Sequence, residues 1–237
     1  MRPFYLLTVS AAALSLGAGV LARRRSKAAA AGRGPPPDPA APFDPHARLI
    51  TRRTLQYFVV PMWTAAGLAD WWRHRRTDIG ETTGLKESII HLLMLAEAAG
   101  PILAALVLEL DPLILGGMIA CFFLHEATAM WDVSYAVERR EVSPLEQHVH
   151  SFLELTPLMA VLLNALLHWP QLEALAGRRV EPLAPIFRRK REPLPKAYVA
   201  AALGGTLVLE LAPYLEEALR AARGRRTPAD APAPVAA

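Results

Sequence analysis

Apolar residues along this chain fall into long runs, and polar residues gather between them. Six runs approach the roughly 20 residues that a helix needs to cross a bilayer. They cover 4–21, 55–72, 85–110, 112–135, 146–168 and 197–218. Pro101 sits inside the third run and Pro157 inside the fifth, and the former predicts a kink. Asp111-Pro112 marks a tight reversal between the third and fourth runs. Trp71 and Trp72 close the second run, as tryptophan does at a headgroup boundary.

The segments between the runs are polar. Residues 73–84 include Gly80 and Gly84, residues 136–145 include Pro144, and residues 169–195 form a longer basic loop. The pattern predicts an all-α, polytopic membrane bundle of about six transmembrane helices around a four-helix core. Its parts are an anchor helix over 1–22, a Pro/Ala-rich basic linker over 23–54 and the core over 55–168. A basic loop over 169–196, a sixth helix over 197–218 and a disordered tail over 219–237 complete it. In the first segment Arg23, Arg24, Arg25 and Lys27 follow the apolar run, whereas a secretory signal carries its charge before it. The segment therefore reads as an uncleaved helix ending in the cytoplasm, with cleavage as the lesser alternative.

Composition agrees with the pattern. Hydrophobic residues make up 53% of the chain, above a soluble protein of average composition. The net charge of +4 sits in clusters that flank the runs, as in membrane proteins, and implies no nucleic-acid partner. The single cysteine, Cys121, excludes an intrachain disulfide and zinc sites built of thiolates. The chain has no Gly-rich phosphate loop, Rossmann fingerprint, G-x-S-x-G or C-x-x-C-H motif.

Ionisable groups in lipid are costly and usually functional. Here they concentrate at one end of the core. The second run ends with Asp70 and His74, and the third opens with Glu87 and His91. The fourth carries His125, Glu126 and Asp132 toward its end, and the fifth opens with Glu146, His148, His150 and Glu154. Threading the runs up and down brings all of these ends to one side of the membrane. Residues four apart share a helix face, so Asp70/His74, Glu87/His91, Glu146/His150 and His150/Glu154 form facing pairs. His125 and Asp132, seven apart, also share a face. His148 and His150 are two apart and cannot both face inward. Imidazole and carboxylate together suit iron, manganese or zinc. The candidate ligands are these eleven residues, with Glu87, His91, His125, His150 and Glu154 foremost.

Other ionisable groups have ordinary readings. Glu97 and Glu210 are deep in their runs, and each is a neutral core carboxyl or part of a proton path. His46 and His168 read as surface groups. Arg73, Arg75, Arg76, Arg139 and Arg140 flank the site as headgroup anchors or as a clamp for an anionic headgroup.

Helices with paired histidine and carboxylate at one membrane face resemble the integral-membrane di-iron enzymes of the fatty-acid desaturase and hydroxylase class. The resemblance covers residues 70–154. That class carries H-x-x-x-H and H-x-x-H-H boxes, and neither is present here. The mixed ligands are closer to carboxylate-bridged di-iron bundles, with E-x-x-x-H in place of E-x-x-H. The resemblance implies two non-haem iron ions, with zinc or manganese as alternatives, and an oxygen-dependent oxidation of a lipid-like substrate. Membrane lipids and an electron donor are then the partners. A divalent-metal or proton transporter would use the same residue types. A b-type haem protein, with His91 and His125 or His150 as axial ligands, is a third reading.

Orientation follows from charge. The far side holds eight Lys/Arg in residues 22–54 and seven in 169–196, and the site-side loops hold six with four more after the sixth run. The positive-inside rule then places the site at the outer face of a bacterial inner membrane.

Overall fold

The structure, a computed structural model, describes residues 45–180 and 187–224. The expected anchor over 1–22, most of the linker and nearly all of the tail lie outside the described residues. The fold is all-helical, without a strand among the described residues. Helix α1 begins at Pro45, where a proline needs no amide partner. It runs as Pro45–Thr54, a π turn over Leu55–Val59, and Val60–Arg76. The helix thus starts well before residue 55. Leu49, Ile50 and the arginines of this stretch are adequate helix formers, although hydropathy registers only their charge.

A short turn, α2 (Ile79–Thr82), leads to α3 (Leu85–Val107). Gly84 joins them with φ at 69°, a value side chains rarely adopt. Helix α4 (Pro112–Val137) is capped by Asp111, whose Oδ1 accepts the Ile114 amide at 2.8 Å. Helix α5 (Pro144–Leu167) is capped in the same way by Ser143, whose Oγ accepts the Glu146 amide at 3.2 Å. Then come α6 (Trp169–Leu175), inside the expected loop, and α7. The last runs as Lys196–Thr206, a second π turn over Leu207–Leu211, and Ala212–Arg223.

Among the described residues, four helices are long and apolar enough to cross a membrane: α3, α4, α5 and the whole of α7. The expectation of six spans is not met among the described residues. Run 4–21 lies outside them, and run 55–72 is helical but diluted by Gln56 and Asp70. Leu93, Leu103, Leu124, Leu155, Leu162, Leu207 and Val208 point outward from the four helices. So much exposed apolar surface is foreign to a water-soluble monomer and points to a membrane protein.

Helix α4 packs along α3, α1 along α5, and the C-terminal half of α7 against α3 and α1. Trp63, Leu95 and Tyr214 form the packed centre of these contacts. In lipid such packing acts through dispersion more than through release of water. Gly67 lets α7 approach α1 closely, because a Cβ there would collide with the Glu210 carboxyl. At the far end, residues 187–191 close over the α3–α4 turn. The Glu109 amide donates to the Arg188 carbonyl at 2.8 Å, and the Lys190 amide to the Val107 carbonyl at 3.0 Å.

Candidate metal centre

Five helices deliver ionisable side chains to one buried point. Helix α1 supplies Asp70 and His74, α3 Glu87 and His91, α4 Asp132, α5 Glu146 and His150, and α7 Glu217. The four-residue spacing on α1, α3 and α5 sets both members of each pair on the inner face. Side-chain exposure of the five carboxylates is 3% or less.

The histidines link the carboxylates. His91 Nδ1 is 2.8 Å from Glu217 Oε1, and His74 Nδ1 is 3.2 Å from Glu217 Oε2. One carboxylate therefore spans both imidazoles. Those two rings stack, with centroids 4.5 Å apart and planes 4° from parallel. His150 Nε2 meets Asp70 Oδ1 at 2.9 Å, and the Tyr214 hydroxyl donates to Asp70 Oδ2 at 3.1 Å.

Arg140, from the α4–α5 connection, closes the site. Its Nη2 donates to Glu87 Oε1 at 2.6 Å and to Glu146 Oε1 at 2.5 Å. Burial works against its charge, yet the two carboxylates hold its pKa above the ordinary arginine value. Among the described residues, one guanidinium, in contact with two of the five carboxylates, and three imidazoles offset their negative charge.

The donor atoms fall into three overlapping groups: Asp70, His74 and His150; His74, His91 and Glu217; Glu87, His91 and Asp132. Within each, the ligand atoms lie within 4.8 Å of one another. His74 Nε2, His91 Nε2, Asp132 Oδ1 and Glu146 Oε2 are buried without a hydrogen-bond partner. Their spacing is informative. His91 Nε2 lies 3.4 Å from Asp132 Oδ1, and His74 Nε2 lies 3.4 Å from Glu146 Oε1. Two ligands at about 2.0–2.1 Å from one tetrahedral ion stand roughly 3.3 Å apart. The His91–Asp132 pair, both atoms unpartnered, fits a cation between them; in the other pair Glu146 Oε1 also accepts from Arg140, and its free oxygen is Oε2.

Among the residues expected from sequence, His125, Glu126, His148 and Glu154 do not join the cluster. His125 shares a face with Asp132 but lies two turns away, about 10 Å along the axis. It is buried instead beside Glu97, with Nδ1 3.7 Å from Glu97 Oε2. Glu126 is half-buried and faces toward Glu154, which is exposed. His148 is exposed with its ring against Phe152, while its neighbour His150 faces inward. His46 is exposed, but His168 is half-buried, with Nδ1 3.0 Å from the Asn164 carbonyl. The surface reading of His168 is therefore corrected: the α5–α6 corner folds it against the bundle.

Glu217, Tyr214 and the closing role of Arg140 are absent from the sequence reading. A signal for Glu217 exists, since it stands seven residues after Glu210 on the same face of a helix that ends on the site side. Compared with protein-family models, curated proteins and solved structures, the chain matches none.

Proposed function

We propose that the chain is an integral-membrane metalloprotein whose cluster holds two metal ions, and that it serves as a non-haem oxidoreductase for a lipid-like substrate. The unused, buried donor atoms of His74, His91, Asp132 and Glu146 carry this reading. Glu87, His91 and Asp132 would hold one ion, and Asp70, His74 and His150 the other, with Glu217 between the two histidines. The donor set suits iron, and zinc or manganese also. Two bound iron ions would supply oxygen activation: a substrate C–H becomes C–OH, while two electrons and two protons from a donor protein reduce the other oxygen atom to water.

The protein's own groups prepare such a site. Arg140 keeps Glu87 and Glu146 charged and in place. Tyr214 fixes Asp70, which in turn orients His150. A cavity of about 60 Å³ touches Asp70, His91, Asp132 and His150; Trp63, Leu95 and Leu153 make most of its surface apolar, while His125, Glu154, Glu210 and Tyr214 also border it. An apolar substrate suits that lining. A transporter would expose the ligands to water in turn, whereas Arg140 and the stacked histidines favour a resident ion. Haem finds little support, because carboxylates surround His91 and His150, and His125 stands apart beside Glu97.

Metal analysis tests the proposal. Protein purified from iron-supplemented cells should contain about two metal ions per chain and show no Soret band. Metal-free protein, or an intense Soret band, would overturn it. The charge count supports an outer-face, periplasmic location for the cluster. In a Cys121→Ser background, Thr82→Cys and Glu141→Cys should both be labelled from the periplasmic side by a membrane-impermeant maleimide. Labelling of either one only after the cytoplasmic side is opened would refute that arrangement.

A further inference from the structure

A second cavity, of about 210 Å³, lies on the other side of Trp63 and His125 from the cluster. Val59, Ile102, Met118, Phe122 and Val161 line its body. An apolar cavity of about 150 Å³ already accepts a benzene-sized guest, so this one has room for a hydrocarbon segment. Trp63, Ala98 and His125 border both this cavity and the smaller one at the cluster. The two spaces therefore abut, one reaching the metal ligands and the other reaching the far end of the bundle.

Charge is concentrated at that far end. Arg48, Arg52 and Lys190 line the cavity there, together with Glu192 and His168. None of the three cations has a salt-bridge partner among the described residues. Glu109, close enough to favour the Lys190 charge, accepts the Arg191 amide at 2.6 Å. Burial lowers the Lys190 ammonium, and Arg52 adds to that while Glu109 opposes it. Burial likewise takes His168 down to about 4, with Lys190 and Arg48 repelling its proton. The mouth thus carries three cations against the carboxylates of Glu192 and Glu109, an excess of positive charge beside an apolar interior.

We propose that this cavity binds a single-chain amphiphile, with its anionic head held by Arg48, Arg52 and Lys190 and its hydrocarbon chain directed past Trp63 toward the metal centre. Charge complementarity selects the head, and the abutting cavities select one extended chain over a branched or aromatic guest. The direction of the chain rests on the oxidoreductase reading, since it delivers carbon atoms to the cluster. Binding itself needs no metal.

The test uses the full-length protein in detergent and three radiolabelled probes: palmitate, lysophosphatidic acid and hexadecanol. At least one anionic probe should bind saturably at one per chain. Palmitate alone would identify a carboxylate head, and lysophosphatidic acid alone a phosphate head. The triple variant Arg48→Gln, Arg52→Gln, Lys190→Gln should weaken that binding by about tenfold or more, the worth of one charge-assisted hydrogen bond. A palmitate carrying a diazirine in mid-chain should cross-link to Met118, Phe122 or Trp63 in the unmodified protein. His91→Ala should retain probe binding even where metal is lost. Equal binding of hexadecanol, an unaffected triple variant, or cross-links confined to the outer helix faces would overturn the proposal. Binding intact in a protein that never holds metal would instead remove the oxidoreductase reading and leave the cavity assignment standing.

Discussion

Replacing His91 with alanine is expected to strip the centre of its metal and to destabilise the protein by about 3–5 kcal/mol. His91 belongs to two of the three donor groups, and each of its nitrogens serves a different carboxylate. Its removal leaves Glu87, Asp132 and Glu217 close together with less positive charge between them. Carboxylates in a dry site cannot all remain ionised without a partner, so the loss of metal and the loss of stability have one cause. Metal content and melting temperature in detergent should fall together. His148→Ala is the control, since that ring is exposed and outside the cluster. A His91→Ala protein that keeps two ions and melts with its parent would show that the centre is not built around this residue.

Arg140→Met should have the second largest effect. The substitution keeps much of the apolar stem and removes the only guanidinium among the described residues in contact with Glu87 and Glu146. Breaking a buried ion pair from one side costs about 3–5 kcal/mol, most of it from the charge left behind. Arg140→Lys should recover only part of this, because an ammonium cannot reproduce the fork between two carboxylates. Thermal melts of the three proteins give the comparison, and equal melting temperatures for Arg140→Met and parent would refute the closing role. Metal should still bind to Arg140→Met if ions are supplied in excess, as the donor atoms remain.

The pairing of ends was legible in the sequence because it follows from helix length and parity alone. Runs near bilayer length must alternate in direction, so Asp70/His74, Glu87/His91, Asp132 and Glu146/His150 had to meet at one depth. The i, i+4 spacing then turned each pair inward. His125 misled for a definite reason: the heptad relation to Asp132 fixes a face but says nothing about depth, and two turns carry it to another neighbourhood. Glu154 shares the heptad-like face of His150 and still emerges at the surface, since face alone does not say which helix lies opposite. Glu217 was hidden because hydropathy marks α7 as a peripheral span, and its docking against α3 and α1 is a tertiary fact. Helix α1 was misjudged at its start by composition, which cannot distinguish a charged helix from a linker.

The position of Glu217 also sets the order in which the protein can mature. It lies on α7, the last of the contributing helices to leave the ribosome, and it is the carboxylate shared by His74 and His91. While the chain is being inserted, seven of the eight groups can already gather, but the two stacked imidazoles lack their common tether. A nascent bundle therefore presents an unfinished cage. The full set of eight groups exists only after the final helix has docked, so an ion that needs all of them would enter after that docking.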